Sequence, residues 1–278
     1  MESGTSVRVG DFVLPLRMAG WILVLVMQGL LLTTGCTPSS QAAARRGTAI
    51  VIFVDFSQSV RSEARALFRQ DIENRITPSL SAGDRILIAP IHDKTLTEFR
   101  PLVEAAFPPK PTFNGWFDNV LNYNRQAKEI ETQVVRLQEN IRTQVADVFG
   151  RRYASLQTDI FSSLVLAQKL FHDEPRRKVL VLMSDMIEDH PPYRFEEVSW
   201  SPATNEKILA ELGAKGLIPD LSGVCVYVSG ASARSADTAA RIGDFWRAYF
   251  QRTKADMDPS RYAHVLLHWP PSKSCGLG

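Results

Sequence analysis

The sequence predicts an α/β fold: a doubly wound, mainly parallel sheet flanked by helices, with a long helical insertion. The first observation is a set of five short apolar runs. Each is rich in β-branched or aliphatic residues and apolar on both faces, as in strands buried on both sides. The runs are 48–54, 85–91, 178–184, 223–229 and 263–268. The second observation is that helical patterns alternate with these runs, which implies right-handed crossovers and one sheet covered by helices.

Two of the helical patterns, at 60–76 and 237–252, place apolar residues on a single stripe at helical spacing. The stripe residues are Val60, Ala64, Leu67, Phe68, Ile72 and Ile76 in the first, and Ile242, Phe245, Trp246 and Tyr249 in the second. We expect both helices to bury these stripes against the sheet.

A third pattern, at 117–149, is much longer, with apolar residues three or four positions apart throughout. We favour a long helix that lies across its own domain, and a coiled-coil surface for a partner is the alternative. The proline-rich stretch 100–116 reads as a loop leading into this helix.

The composition is that of a globular protein, with 45% hydrophobic and 22% charged residues in a chain of 278. This length suffices for one sizeable core or at most two small ones. The net charge of +2 is close to balance and the basic pairs are scattered. Nucleic-acid binding usually needs a concentrated basic face, so we expect no nucleic-acid partner.

The N-terminus has the form of an export signal. Residues 18–34 are apolar and uncharged and follow Arg8 and Arg17. The segment ends in Gly35-Cys36 and resembles the signal of bacterial lipoproteins, which implies cleavage after Gly35 and a lipid on Cys36. The alternative is an uncleaved N-terminal anchor. Both interpretations place the domain outside the cytoplasm, tethered to a membrane in the cell envelope.

The other two cysteines have no metal-ligand spacing. Cys225 lies in an apolar run, which favours a buried and unreactive thiol. Cys275 lies in the tail, and a Cys225–Cys275 disulfide in an oxidising compartment is the alternative.

Polar side chains follow two of the apolar runs. Asp55, Ser57 and Ser59 come directly after the first run, and Asp185 follows the run at 178–184. In an open parallel sheet, ligands bind at the carboxyl ends of the strands. We therefore expect both carboxylates to lie at one edge of the sheet, with the two serine hydroxyls turned toward the same point.

Thr158 adds a third contribution, because it opens the helical run 158–171 and is placed to be its N-cap. Oxygen-only ligands of this kind suit a hard cation such as Mg²⁺. We find no Cys/His cluster that offers the nitrogen and sulfur ligands preferred by zinc.

This ordered set resembles the metal-ion-dependent adhesion site of the von Willebrand factor A (vWA) domain family. The resemblance spans roughly residues 47–270 and rests on the segments DFSQSV, TDI and VLVLMSD. It implies an ion held by Ser57, Ser59 and Thr158, with Asp55 and Asp185 bound directly or through water. Mg²⁺ is the expected ion, with Mn²⁺ or Ca²⁺ as substitutes. It also implies that a carboxylate from a partner protein completes the coordination.

The implied organisation is a signal peptide (1–35), a linker (36–47), a vWA-like domain (48–270) and a tail (271–278). The long helical segment lies within the domain.

Each element of the motif also has a plainer interpretation. Asp-x-Ser-x-Ser forms turns and helix caps, since these side chains bond local backbone N–H groups. Glu188 and Asp189 read most simply as an acidic rim. We expect His92 to be structural or solvent-facing, although it follows a strand and could line the same rim. We expect His190, beside two prolines, to do no chemistry.

Three functions fit the sequence. The first is a membrane-tethered binding module that captures an acidic group through the cation. The second is a metal-dependent hydrolase of the cell envelope, although Ser57 stands where such a site needs a carboxylate, and we find no catalytic motif. The third is a structural protein that acts through the 117–149 helix. We therefore expect no enzyme activity.

Overall fold

A six-stranded sheet lies between two layers of helices in the computed structural model, which describes residues 47–93, 95–113, 115, 119–151 and 157–276. The strands are β1 (Thr48–Asp55), β2 (Arg85–Ile91), β3 (Val103–Ala106), β4 (Arg177–Met183), β5 (Asp189–His190), β6 (Tyr193–Arg194), β7 (Val224–Ser229) and β8 (Tyr262–Ala263). The sheet order is β3-β2-β1-β4-β7-β8, and β5 and β6 form a separate hairpin. β3 is antiparallel to β2, and the other neighbours in the sheet are parallel.

Numbered along the sheet's own strands, this order is the 3-2-1-4-5-6 of doubly wound folds. The predicted fold class is therefore confirmed. The helices are α1 (Ser62–Asp71), α2 (Val120–Gly150), α3 (Ile160–Phe171), α4 (Pro202–Ala214) and α5 (Ala236–Arg252). α1 continues through a π-helical turn, Ile72–Ile76, and a final turn, Thr77–Ser79. The predicted signal peptide and Cys36 lie outside the described residues.

The two faces of β1 build two separate cores, as the alternation of side chains in a strand requires. Ala49, Val51 and Phe53 pack with residues of α3, α4 and α5. Ile50, Ile52 and Val54 pack with residues of α1 and α2 on the other face. Because both faces are covered, the run is apolar without interruption.

Four of the five apolar runs form strands within one residue of the predicted bounds. The run at 263–268 does not, because β8 ends at Ala263. Beyond it the backbone bonds to α1 and to the π-helical turn that follows α1: Leu266 N donates to Asp71 Oδ2 at 3.3 Å, and Arg75 donates to the Leu266 carbonyl. Apolar content predicted a strand here, but contacts with α1 decide the conformation.

The stretch 100–116 was predicted as a loop and contains a strand, β3, which is a second correction. β3 pairs with β2 from Arg85↔Ala106 to Ile88↔Val103. It is a short edge strand, in which every second residue faces solvent, so it lacks the apolar run of the buried strands.

α2 lies on its own domain along its C-terminal half. Ile141, Val145 and Val148 are buried against α1 and the sheet. The N-terminal half leaves apolar side chains in solvent: Leu121 is 76% exposed. The expectation of a helix that lies across its domain is thus confirmed for the C-terminal half only.

Cys225 and Cys275 form a disulfide, with Cα atoms 5.4 Å apart. The prediction of a free buried thiol was therefore wrong. Cys225 is buried, as expected, and its backbone forms a parallel bridge with Asp256. Gly276 N in the tail donates to the Asp256 side chain, which brings the tail close to Cys225. The disulfide fastens the tail to β7.

Among the residues that the structure describes, no helix is both long and apolar enough to span a bilayer.

Candidate metal centre

The loop after β1 folds three oxygen-bearing side chains around one point. Ser57 N donates to Asp55 Oδ1 at 2.9 Å, which is the local turn that an Asp-x-Ser sequence favours. Ser57 Oγ and Ser59 Oγ are 2.9 Å apart. Asp55 is buried, whereas Ser59 is exposed, so the loop leads from the interior to the surface.

The loop after β4 brings Asp185 to the same place. Asp185 Oδ1 accepts a hydrogen bond from Ile187 N at 2.9 Å, and the Ser59 hydroxyl lies within hydrogen-bonding reach of its carboxylate. Between them, Met186 adopts a left-handed backbone conformation with φ of 66°. Such strain in a residue other than glycine persists where the surroundings enforce it.

Two contacts hold Met186 in that conformation. Its N–H donates to Ser184 Oγ at 3.0 Å, and its carbonyl accepts from Trp246 Nε1 at 2.8 Å. Both Met186 and Trp246 are fully buried. The packing of α5 therefore sets the direction in which Asp185 leaves the sheet.

The two carboxylates share a buried, negatively charged environment. Burial raises the pKa of Asp55 above its ordinary value. Burial, together with the charge of Asp55, raises the pKa of Asp185 to about 7. Two aspartates close enough to perturb each other need a proton or a cation between them near neutral pH.

A hard divalent cation fits this donor set. The five predicted ligands offer two carboxylates and three hydroxyls, and Mg²⁺, Mn²⁺ and Ca²⁺ are bound by oxygen. The raised pKa values of Asp55 and Asp185 are the observation that favours an ion, since a cation would stabilise both ionised forms.

Two contributors were not singled out in the sequence. Ser184 Oγ donates to Asp55 Oδ2 at 2.8 Å, across from the neighbouring strand. Arg65 Nη2 donates to the Ser57 carbonyl at 2.6 Å, and its charge lowers the pKa of Asp55, against the larger effect of burial. The sequence could have indicated Ser184, because it directly precedes Asp185. Nothing in the sequence pattern indicated Arg65, which lies one turn into α1.

Thr158 is buried at the start of α3, where its backbone meets the loop after β4. It is 1% exposed, and its carbonyl accepts from Asp189 N at 3.1 Å, which fastens it to the loop after β4. The N-cap of α3 is Asp159, whose side chain accepts from Ser162 N at 2.9 Å, so the prediction that Thr158 caps this helix was wrong. The carboxylate of Asp159 out-competes the hydroxyl because it is one residue closer to the first free N–H groups.

Glu188 is inside the protein and not on an acidic rim. It is 1% exposed, and its Oε2 accepts from Ile160 N at 2.8 Å. Burial, followed by the charge of Asp159, raises its pKa well above the usual range, and Asp55 is close enough to add to this effect. The simpler interpretation of Glu188 as part of a solvated rim was therefore wrong, whereas Asp189 is exposed as expected.

A cleft of about 630 Å³ opens onto the cluster between α1 and the loops after β4 and β7. Ser59 of the loop after β1 and Asp185 of the loop after β4 line it, so both loops face a space large enough for a partner's side chains. The histidine of this cleft is His264. His92 caps a turn instead, with its carbonyl accepting from Thr95 Oγ1 at 2.7 Å.

No protein-family model matches this chain, and no curated protein matches it. Among solved structures, the crystal structure of the manganese-loaded TRAP protein of Plasmodium vivax matches at 11% sequence identity with a TM-score of 0.34. The match covers 72% of this chain and 63% of that one. A likeness of this extent carries no argument about a ligand or partner, so the role of the site depends on its own residues.

Proposed function

We propose that this protein is a membrane-tethered, extracytoplasmic binding module that captures an acidic group of a protein partner through a divalent cation. One observation supports it above the others. Asp55 and Asp185 are both buried, and burial together with the charge of Asp55 raises the pKa of Asp185 to about 7, beside an open cleft that Asp185 and Ser59 line.

The charged and the neutral residues would have different roles in binding the ion. Ser57, Ser59 and Thr158 would supply neutral oxygens, and Asp55 and Asp185 would bind directly or through water. Because three of the five ligands are neutral, a bound ion keeps a strong attraction for an incoming carboxylate. The ion supplies that attraction when bound; Ser184 and Trp246 orient the two aspartates.

Ion binding is the first test. Mg²⁺ binding to the full-length protein in detergent, measured by isothermal titration calorimetry, should be lost in Asp55→Asn. A matched control is Asp237→Asn, an exposed aspartate on α5 that pairs with Arg241. Equal Mg²⁺ affinity in the wild type and in Asp55→Asn would contradict the proposal.

Partner capture is the second test. Envelope proteins that the immobilised protein retains in Mg²⁺ should be released by EDTA, and they should not be retained by the Ser57→Ala variant. Capture that survives both changes would rule out an ion-mediated contact. Mg²⁺-dependent hydrolysis of phosphate or carboxylate esters that disappears in Asp185→Asn would support the hydrolase instead.

The tether is tested separately by mass spectrometry of the membrane fraction. We expect a lipid-modified N-terminus at Cys36, and release of the protein from membranes in Cys36→Ser. An unmodified chain that begins at Met1 would contradict the lipoprotein part of the proposal and leave the ion site untouched.

A further inference from the structure

A second group of metal-ligating side chains lies at the N-terminal end of α3. It consists of Asp159, Glu188 and His190, whose carboxylate oxygens and imidazole nitrogen lie within 4.8 Å of one another. We propose that this group is a second metal site, distinct from the oxygen-only site, which binds a transition-metal dication of the Zn²⁺ type.

The backbone holds the three side chains together across two loops. Asp189 N donates to the Thr158 carbonyl at 3.1 Å, and Ile160 N donates to Glu188 Oε2 at 2.8 Å. The β5–β6 hairpin, paired at His190↔Tyr193, continues from this attachment. The contacts that position Asp159 and Glu188 therefore also fix the backbone position of His190.

The two carboxylates of this group have no lysine or arginine beside them, in the part of the chain that the structure describes, to balance their negative charge. Asp159 is 6% and Glu188 1% exposed. In the described part of the chain, neither carboxylate forms an ion pair with a lysine or an arginine, and the basic group that approaches is His190. Each carboxylate accepts a backbone N–H at the start of α3, Asp159 from Ser162 N and Glu188 from Ile160 N, and a cation would balance the charge that these hydrogen bonds leave.

The distances leave room for an ion between the imidazole and the carboxylates. His190 Nδ1 and Asp159 Oδ2 are 3.9 Å apart, too far for a hydrogen bond. Two atoms bonded tetrahedrally to one ion at about 2.0–2.1 Å lie roughly 3.4 Å apart, so an approach of the His190 imidazole by about half an ångström brings both atoms onto one ion.

The ligand types select the ion. One imidazole nitrogen and two carboxylate oxygens suit Zn²⁺ and its neighbours in the first transition row, whereas the all-oxygen site suits Mg²⁺. The His190 side chain is 35% exposed, which gives an ion a route from solvent. No group of residues in the sequence has metal-ligand spacing, but the fold brings Asp159, Glu188 and His190 together although they lie up to 31 positions apart.

The test counts zinc in the full-length protein. The detergent-solubilised protein is stripped with EDTA, exchanged into Zn²⁺ and desalted, and its metal content is measured by inductively coupled plasma mass spectrometry. His190→Ala should lower the zinc content by one ion per chain and weaken zinc binding about 100-fold or more. The matched control is His172→Ala, an exposed histidine that also lies beside an aspartate, Asp173, and it should retain the wild-type content.

Cobalt gives a second reading that does not depend on stoichiometry. Co²⁺ bound at this site should produce a visible absorption band that is lost in His190→Ala and retained in Asp55→Asn. Zinc content and a cobalt band that are the same in His190→Ala and wild type would overturn the proposal. If His190→Ala has no effect on zinc but Asp55→Asn loses Mg²⁺ binding, the zinc site is refuted and the proposed function stands. Failure of the zinc proposal is therefore distinguishable from failure of the proposed function.

Discussion

Asp185 holds a proton in the ion-free protein that an ordinary aspartate would release. Its pKa is raised from 3.8 to about 7, first by burial and then by the charge of Asp55. The folded protein therefore binds more protons than the unfolded chain between these two values. In EDTA, the free energy of unfolding should fall as the pH rises from about 4 to 7. Urea denaturation across this range measures it.

Two changes should reduce this pH dependence, to which Asp55 and Glu188 also contribute because burial raises their pKa values. Asp185→Asn removes the titrating group, and saturating Mg²⁺ supplies the positive charge that the ionised pair lacks. A free energy of unfolding that stays constant between pH 4 and 7 in EDTA would show that the two carboxylates are not buried together.

Ser184 is a positioning residue, because its hydroxyl donates to Asp55 Oδ2, accepts from Met186 N and so acts on the ion site through Asp55. Ser184→Ala should leave both groups unsatisfied, at a cost of about 1–3 kcal/mol in unfolding free energy, and should also weaken Mg²⁺ binding. The control is Ser229→Ala, another fully buried serine, whose hydroxyl bonds to Asp71. It should lower stability without changing Mg²⁺ affinity; an equal loss of affinity in both variants would remove the positioning role.

At the scale of elements, the two halves of α2 differ in their contacts with the rest of the domain. The C-terminal half packs on the domain and ends at Gly150, and the ring of Phe149 lies 5.3 Å from that of Phe56 in the loop after β1. Gln138 Nε2 also donates to the Leu80 carbonyl at 2.9 Å. This half therefore buttresses the loop after β1.

Ile141→Ala should lower the free energy of unfolding by about 2–5 kcal/mol, since it deletes a fully buried side chain. Leu121→Ala, an exposed position in the same helix, should change it by no more than about 0.5 kcal/mol. Chemical denaturation of both variants makes the comparison. Similar losses would mean that both halves of α2 are packed.

Most element positions follow from periodicity, because β1, β2, β4 and β7 are buried on both faces and α5 buries one stripe. The errors fall where other interactions dominate. β8 stops early because Asp71 and Arg75 bind the backbone beyond it. β3 was missed because an exposed edge strand carries no continuous apolar signal.

At the scale of the whole molecule, the disulfide joins the tail to β7 and closes a loop with a sequence separation of 50 residues. Replacing both cysteines by serine should lower the free energy of unfolding by about 2–4 kcal/mol. The same double variant should lose the sensitivity of the melting temperature to dithiothreitol. A wild-type protein whose melting temperature is unaffected by the reductant would contradict a stabilising disulfide.

The candidate ion site was predictable where its residues follow strands. Asp55 and Asp185 leave β1 and β4, which are neighbours in the sheet, so both carboxylates reach one edge. The ion itself and its partner remain predictions, which the calorimetric and capture experiments test.

By itself, the sequence determined the alternation of buried strands and amphipathic helices and the local turn of Asp55 onto Ser57. These depend on neighbours in the chain, and periodicity and local hydrogen bonding record such neighbours. Only the tertiary structure decided that Glu188 is buried, that Cys225 meets Cys275, and that His190 lies against Asp159. Those contacts join residues that are distant in sequence, and their partners are chosen by how helices and loops pack on the sheet, which no spacing along the chain records.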